Sequence, residues 1–171
     1  MKQQLLEMHD YHVWANQTMM NRLQELPREL YRQEVKSVFP TLCRVLAHIY
    51  VVDKTWMGVL AGKSLHEGMA EAPGLTERME KFSLEEMKKE YSDQAERFMP
   101  FLREQDPDRS FLLDHPYAPP RMTKVSEVVL QLVNHGTYHR GNMSAMLRQM
   151  GHSAAMTEYG LYWYQGRQVQ G

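Results

Sequence analysis

The sequence predicts an all-α fold, a four-helix bundle with a long crossover connection between helices 3 and 4. Apolar residues recur at helical spacing in four long stretches. Turn formers concentrate between those stretches, most densely in "DPDRSFLLDHPYAPPRMT". At 171 residues the chain suits a single domain, 1–171, with one core.

The first helix runs from about Lys2 to Leu26, with Leu5, His9, His12, Val13, Asn16, Met20 and Leu23 on one stripe and Pro27 as its stop. The second begins near Pro40, which suits a first helical position, and carries Val45, Leu46, Ile49, Val52, Trp56 and Leu60 on one face before Gly62. A connection containing Gly and Pro follows. The third helix opens on "SLEE", where Ser83 and Glu86 form a capping-box pattern, and continues to about Arg103. The crossover then holds four prolines, with only "SFLL" able to form a short strand. The fourth helix runs from about Thr123 to Met150, and Gly151 supplies its left-handed cap. The aromatic tail "TEYGLYWYQ" is expected to pack on the helices, and "GRQVQG" to fray.

Lys and Arg number 20 against 21 Asp and Glu, a net charge of -1. No basic stripe marks a nucleic-acid binder, so no nucleic-acid partner is expected. No apolar run approaches the roughly 20 residues of a membrane span, and no charged-then-apolar leader opens the chain. The single cysteine, Cys43, excludes an intramolecular disulfide. A soluble cytoplasmic protein with no membrane partner is the expectation. The 14 methionines lie along helical stripes and read as core filling.

Helical spacing places His139 in the middle of the stripe formed by Val128, Leu132, Met143 and Met146, with His135 on its edge. His48 lies at the margin of the second helix's inward face. A lone inward histidine is more often a core residue bonded to a carbonyl, and an i,i+4 pair arises by chance. Burying two imidazoles in a Val/Met stripe is costly unless each has a partner, and one metal ion supplies a partner to both. Facing helices pack about 8–10 Å apart, so His48, His135 and His139 can converge on one ion. The intervening "GTY" lacks the glutamate of a zinc-protease helix, and no Glu-x-x-His pair of a di-iron bundle is present. Gly136, unfavourable in mid-helix by about 1 kcal/mol, points to a close helix approach or to room beside the metal.

Three separated segments resemble the DinB-like (YfiT-type) superfamily: "YHVWANQTMM", "LAHIYVVDKTW" and "HGTYHRGNMSAMLRQMG". The resemblance spans nearly the whole chain, from the first helix to Gly151. It implies a four-helix bundle holding one divalent ion per chain, nickel or zinc, on three histidines. By motif position these are His48, His135 and His139. It also implies a homodimer, and metal-dependent transfer of a low-molecular-weight thiol such as bacillithiol or mycothiol to an electrophile. The competing reading is a non-catalytic, stress-induced metal-binding or protein-interaction module. Two positions depart from the family pattern: Asn142 stands where glutamine is usual, and Glu158 is the nearest match to a tail aspartate.

Further residues carry two readings each. Asp53 either orients a ligand imidazole from behind or pairs with Lys54 or a neighbouring arginine. Arg140 either binds an anionic thiol or locks the fourth helix with an ion pair. His12 and Asn16 face inward, as does His9, so a substrate is expected to enter between the first helix and the histidine-bearing helices. His66, His115 and His152 are expected in solvent. Because ligand histidines must lose their protons, the affinity of His48, His135 and His139 for the ion is expected to fall as pH drops below about 6.

Overall fold

Helical period, caps and breakers act locally, and the computed structural model, which describes residues 2–165, follows them closely. Helix α1 spans Lys2–Gln24, and a short 3-10 turn, Arg28–Tyr31, follows Pro27. Helix α2 spans Leu42–Leu60, two residues later than Pro40 suggests. The Thr41 hydroxyl accepts the Arg44 N–H and caps the helix. The Pro40 carbonyl instead accepts the Val35 N–H at 2.9 Å, drawing residues 36–41 into a bent strap beside the helix start.

The connection expected before the third long helix is itself helical. Helix α3 spans Leu65–Met79 and opens on a capping box, Ser64 Oγ accepting the Glu67 N–H while Glu67 accepts the Ser64 N–H at 2.9 Å. Pro73 removes one internal hydrogen bond, yet Leu65, Gly68 and Met79 bury the helix. A Cβ on Gly68 would stand 2.8 Å from Thr55 Cγ2, so glycine lets α3 press onto α2.

Helix α4, Leu84–Glu104, begins at the capping box read from "SLEE". The crossover is more ordered than its prolines suggest. Strand β1, Ser110–His115, pairs antiparallel with β2, Ala118–Lys124, in the register Ser110↔Lys124 and Leu112↔Met122. A hairpin of two strands has only edges, and there Pro119 and Pro120 need no N–H partner. Helix α5, Val125–Gln149, ends with Gly151 at φ 83° and the His152 N–H donating to the Leu147 carbonyl. The short α6, Tyr159–Tyr162, sets Tyr159 and Tyr162 edge-on against Tyr11. The expected fraying of "GRQVQG" lies outside the described residues.

The chain is thus mostly helical, with one small sheet. Helices α1 and α2 each contact both α4 and α5, while α3 packs on α2 and touches β1. Met19, Met20, Leu46, Ile49, Met87, Met143 and Met146 are fully buried between the long helices. Burial of side chains of this size contributes about 1.5–3 kcal/mol each. Among the described residues no helix is long and apolar enough to cross a membrane.

A polar layer interrupts this core where α1 meets α5. His12, Asn16, Asp53 and Arg140 are all buried there. The layer fits because position 136 carries no side chain. A Cβ on Gly136 would lie 2.4 Å from His12 Cε1, 2.7 Å from His12 Nδ1 and 2.8 Å from Arg140 Nη1.

Two glycines of α5 therefore respond oppositely to alanine. Gly141→Ala, with nothing within 4 Å of its new Cβ, is expected to stabilise by up to about 1 kcal/mol through helix propensity. Gly136→Ala gains the same propensity but drives into a buried ring, with an expected net loss of about 1–3 kcal/mol. Denaturant unfolding of the two variants checks the contrast, and equal effects would remove the steric account of Gly136.

Candidate metal centre

One turn of α5 aims His135 and His139 at α2, which presents His48 across the helix interface. The ring centroids stand 4.4 Å apart for His135 and His139, 4.6 Å for His48 and His139, and 4.9 Å for His48 and His135. Nε2 of His135 is 3.0 Å from Nε2 of His48. One nitrogen from each ring falls within 4.8 Å of the others, a group able to hold a metal ion. Metal–nitrogen bonds of about 2.0–2.1 Å at tetrahedral angles require donor pairs about 3.3 Å apart. The His48–His135 pair, at 3.0 Å, is already close to that spacing.

The electrostatics match the geometry. Burial pushes the His135 imidazole down to about 3, helped by the neighbouring His139, His48 and His12. Burial and then His48 lower His139 to about 4. His48 is also lowered, chiefly by desolvation, against the pull of Asp53. All three rings are therefore neutral at pH 7 and keep a lone pair for a cation. The group contains no carboxylate.

Sequence patterning did not reveal the surroundings of the three rings. Phe39, from the strap before α2, packs 5.0 Å from the His48 ring and edge-on at 5.4 Å from His139. Exposed Tyr138 stands edge-on to His139 at 5.0 Å. The Asn142 amide reaches Nδ1 of His139 at 3.3 Å, so this side chain, though shorter than glutamine, contacts the site.

The α1 side is closed. His12 Nε2 lies 2.7 Å from Asp53 Oδ2 and donates to it, which gives Asp53 a partner on α1 in place of Lys54 or an arginine. The Asn16 amide nitrogen is 3.1 Å from the same ring nitrogen, and its oxygen accepts from Arg140 Nη1 at 2.8 Å. Arg140 also donates to Thr137 Oγ1 and lies over the Tyr11 ring. With 2% exposure it reaches no solvent-borne anion, and no carboxylate pairs with it among the described residues. The expected entry between α1 and the histidine-bearing helices is thus filled by His12, Asn16 and Arg140. Gly136 makes room for His12 rather than for a ligand.

The other residues sort simply. Glu158 is exposed at the start of α6 and is not part of the three-histidine group. His66 is exposed, whereas His115 and His152 are half-buried. Cys43 is buried with its thiol pushed up by desolvation, the setting of a small hydrophobe rather than a nucleophile. His9 is buried beside Phe98, and neither of its nitrogens has a partner among the described residues.

Burial makes the metal-free fold acid-sensitive. His9, lowered to about 3 mainly by desolvation, joins His135 and His139 as rings that stay neutral in the folded chain. Unfolded, they bind protons near the ordinary 6.5, so their contribution is complete above that pH and declines as pH falls toward about 4. The thermal midpoint of chelated protein is expected to drop between about pH 7.5 and 4.5. His9→Leu should make the drop shallower without lowering the midpoint at the higher pH. Parallel pH curves for the two proteins would remove His9 from this account.

Two sequence comparisons bear on this centre. A family model described as the DinB family matches residues 1–168. A protein of Bacillus subtilis (strain 168) called Protein DinB is 43% identical over 159 residues, covering 92% of this chain and 92% of the relative. The chain therefore belongs to the DinB family.

Proposed function

We propose that the protein transfers a low-molecular-weight thiol, bacillithiol-like in class, to an electrophile in a metal-dependent reaction of stress defence or detoxification. The observation that carries this reading is a neutral three-imidazole group flanked on one side by aromatic rings and backed on the other by a buried polar layer. We further read the four long helices as a four-helix bundle whose crossover carries the hairpin.

His48, His135 and His139 would hold one divalent ion, nickel or zinc. When bound, the ion supplies a charge that three neutral donors leave uncompensated, which favours an anionic sulfur and lowers a thiol's pKa. The overall exchange is RSH + R′X → RSR′ + X⁻ + H⁺: sulfur forms the new bond to carbon, X⁻ leaves with its electron pair, and the thiol proton goes to solvent. With its carbonyl turned toward the ring, Asn142 accepts Nδ1–H of His139 and leaves Nε2 free as the donor. Asp53 holds His12 behind the site, and His12 with Arg140 keeps water out on the α1 side. Phe39 and Tyr138 offer an apolar electrophile its contact surface.

The protein purified without an affinity tag is expected to contain one metal per chain, and none after His135→Ala and His139→Ala together. Because burial lowers the ligand histidines, retention should persist to about pH 5, below the point where ordinary imidazoles begin to release metal. A ratio near one in the double variant would overturn the ligand set.

Incubating the metal-loaded protein with 1-chloro-2,4-dinitrobenzene and a panel of cellular thiols tests the reaction. Turnover with at least one thiol is expected, falling to the uncatalysed rate in His139→Ala. Stoichiometric metal without thiol-dependent turnover would overturn the transferase reading and leave the alternative, a non-catalytic metal-binding or protein-interaction module.

A further inference from the structure

A cavity of about 440 Å³ lies between α2, α3 and α4 and takes no lining residue from α1 or α5. At about 100° per residue, Tyr50 and Met57 lie roughly 200° and 180° around α2 from His48, so the cavity is on the opposite face of that helix from the candidate metal centre. Met57, Ala72, Leu75, Phe98 and Phe101 give it apolar walls, and the volume is that of a small-molecule pocket.

Its charged groups are unequal. Among the lining residues the carboxylate of Glu71 is taken by Lys63 at 2.5 Å. Lys54 and Arg97, both exposed, have no carboxylate within ion-pair distance among the described residues. Glu90, near this end, accepts the Tyr50 hydroxyl at 3.0 Å and is not a lining residue. The balance at the mouth is positive. Inside, Gln94 is only 8% exposed, its Oε1 has no partner, and its Nε2 meets only the Met57 sulfur, at 3.0 Å. Native interiors seldom leave an amide so poorly paired, and its Nε2–H, set against a weak sulfur acceptor, is the group that an anion or hydroxyl can use, whereas Oε1 gains nothing from an anion.

We propose that this cavity binds a small organic anion with an apolar body, a carboxylic acid whose carboxylate lies between Lys54 and Arg97 and whose hydrocarbon part packs against Leu75, Phe98 and Phe101. The site is separate from the metal centre and does not depend on the reaction proposed there. The cations fix the polar end by charge, and the aromatic walls supply the area removed from water. A neutral molecule of the same shape would lose the first contribution and keep the second.

Decanoate titrated into the 15N-labelled full chain, as purified, tests this directly. Saturable shifts are expected at the amides of Gly58, Gly68, Ala72 and Leu75, with decanol binding about tenfold more weakly and acetate not at all. Lys54→Met with Arg97→Met, both exposed positions, should bring decanoate to the affinity of decanol while leaving decanol unchanged. Ala72→Trp, which fills the groove, should abolish both, with circular dichroism confirming the fold. The shifts should persist in His135→Ala/His139→Ala, which separates this cavity from the metal centre. Equal affinities for acid and alcohol, shifts confined to other residues, or loss of binding in the double-histidine variant would each overturn the proposal. So would self-association of the protein through this groove, read by light scattering and abolished by Ala72→Trp.

Discussion

The arrangement of the candidate metal centre depends on a missing side chain. Without a Cβ at Gly136, the His12 ring seats against the backbone of α5 and meets Asp53 on α2. One imidazole thereby ties three helices together. Asn16 and Arg140 extend the link along the α1–α5 seam. Apolar contacts carry no direction of their own, whereas a buried hydrogen bond at 2.7 Å is lost when a helix slides or rotates a little. The polar layer therefore fixes the register in which His48 comes to lie beside His135 and His139. Gly136 is unfavourable for α5 alone and favourable for the assembly, a local rule broken where a site is built.

Local chemistry was legible in the sequence, and chemistry across helices was not. The capping box at Ser83 and Glu86 and the cap at Gly151 were found because each acts over a few residues. His135 and His139 were legible because inward direction and i,i+4 spacing both survive in one dimension, and His48 because it lies at the margin of an inward face within a segment that resembles the family's motif. Helix α3 was missed because Gly68, Pro73 and Gly74 dominate its composition, although Ser64 and Glu67 carry the same capping signal as Ser83 and Glu86. The second strand was missed because Pro119 and Pro120 break interior strands but not an edge. The His12–Asp53 pair spans 41 positions, and no local pattern announces such a partner. Phe39 lies in a strap without period, so its place over two histidines was equally hidden.

The difference between the two sides of the centre follows from which side chains had to be satisfied. On the α1 side the approach is filled by the buried His12–Asp53 and Arg140–Asn16 pairs, so a ligand entering there would have to break these hydrogen bonds. On the strap side, Phe39 and Tyr138 contribute ring surface only, and displacing them costs contact area but no hydrogen bond. The neutral imidazoles are consistent with that division: a protonated ring facing the polar layer would repel Arg140, whereas neutral rings tolerate burial and keep their lone pairs.

Helix α2 stands between two different environments, and its angular order explains how. His48 faces the candidate metal centre; Asp53, about 140° further round, faces α1; Lys54 and Met57 line the cavity against α3 and α4. Gln94 and Met57 line that cavity and also a small cleft that His12 and Asp53 line, so these two side chains border both the apolar groove and the buried polar layer. Because α2 is one continuous helix, Lys54 and Met57 keep a fixed angular order relative to His48 and Asp53. The hydrogen bond that holds Asp53 to His12 therefore also fixes how Lys54 and Met57 are presented to the groove.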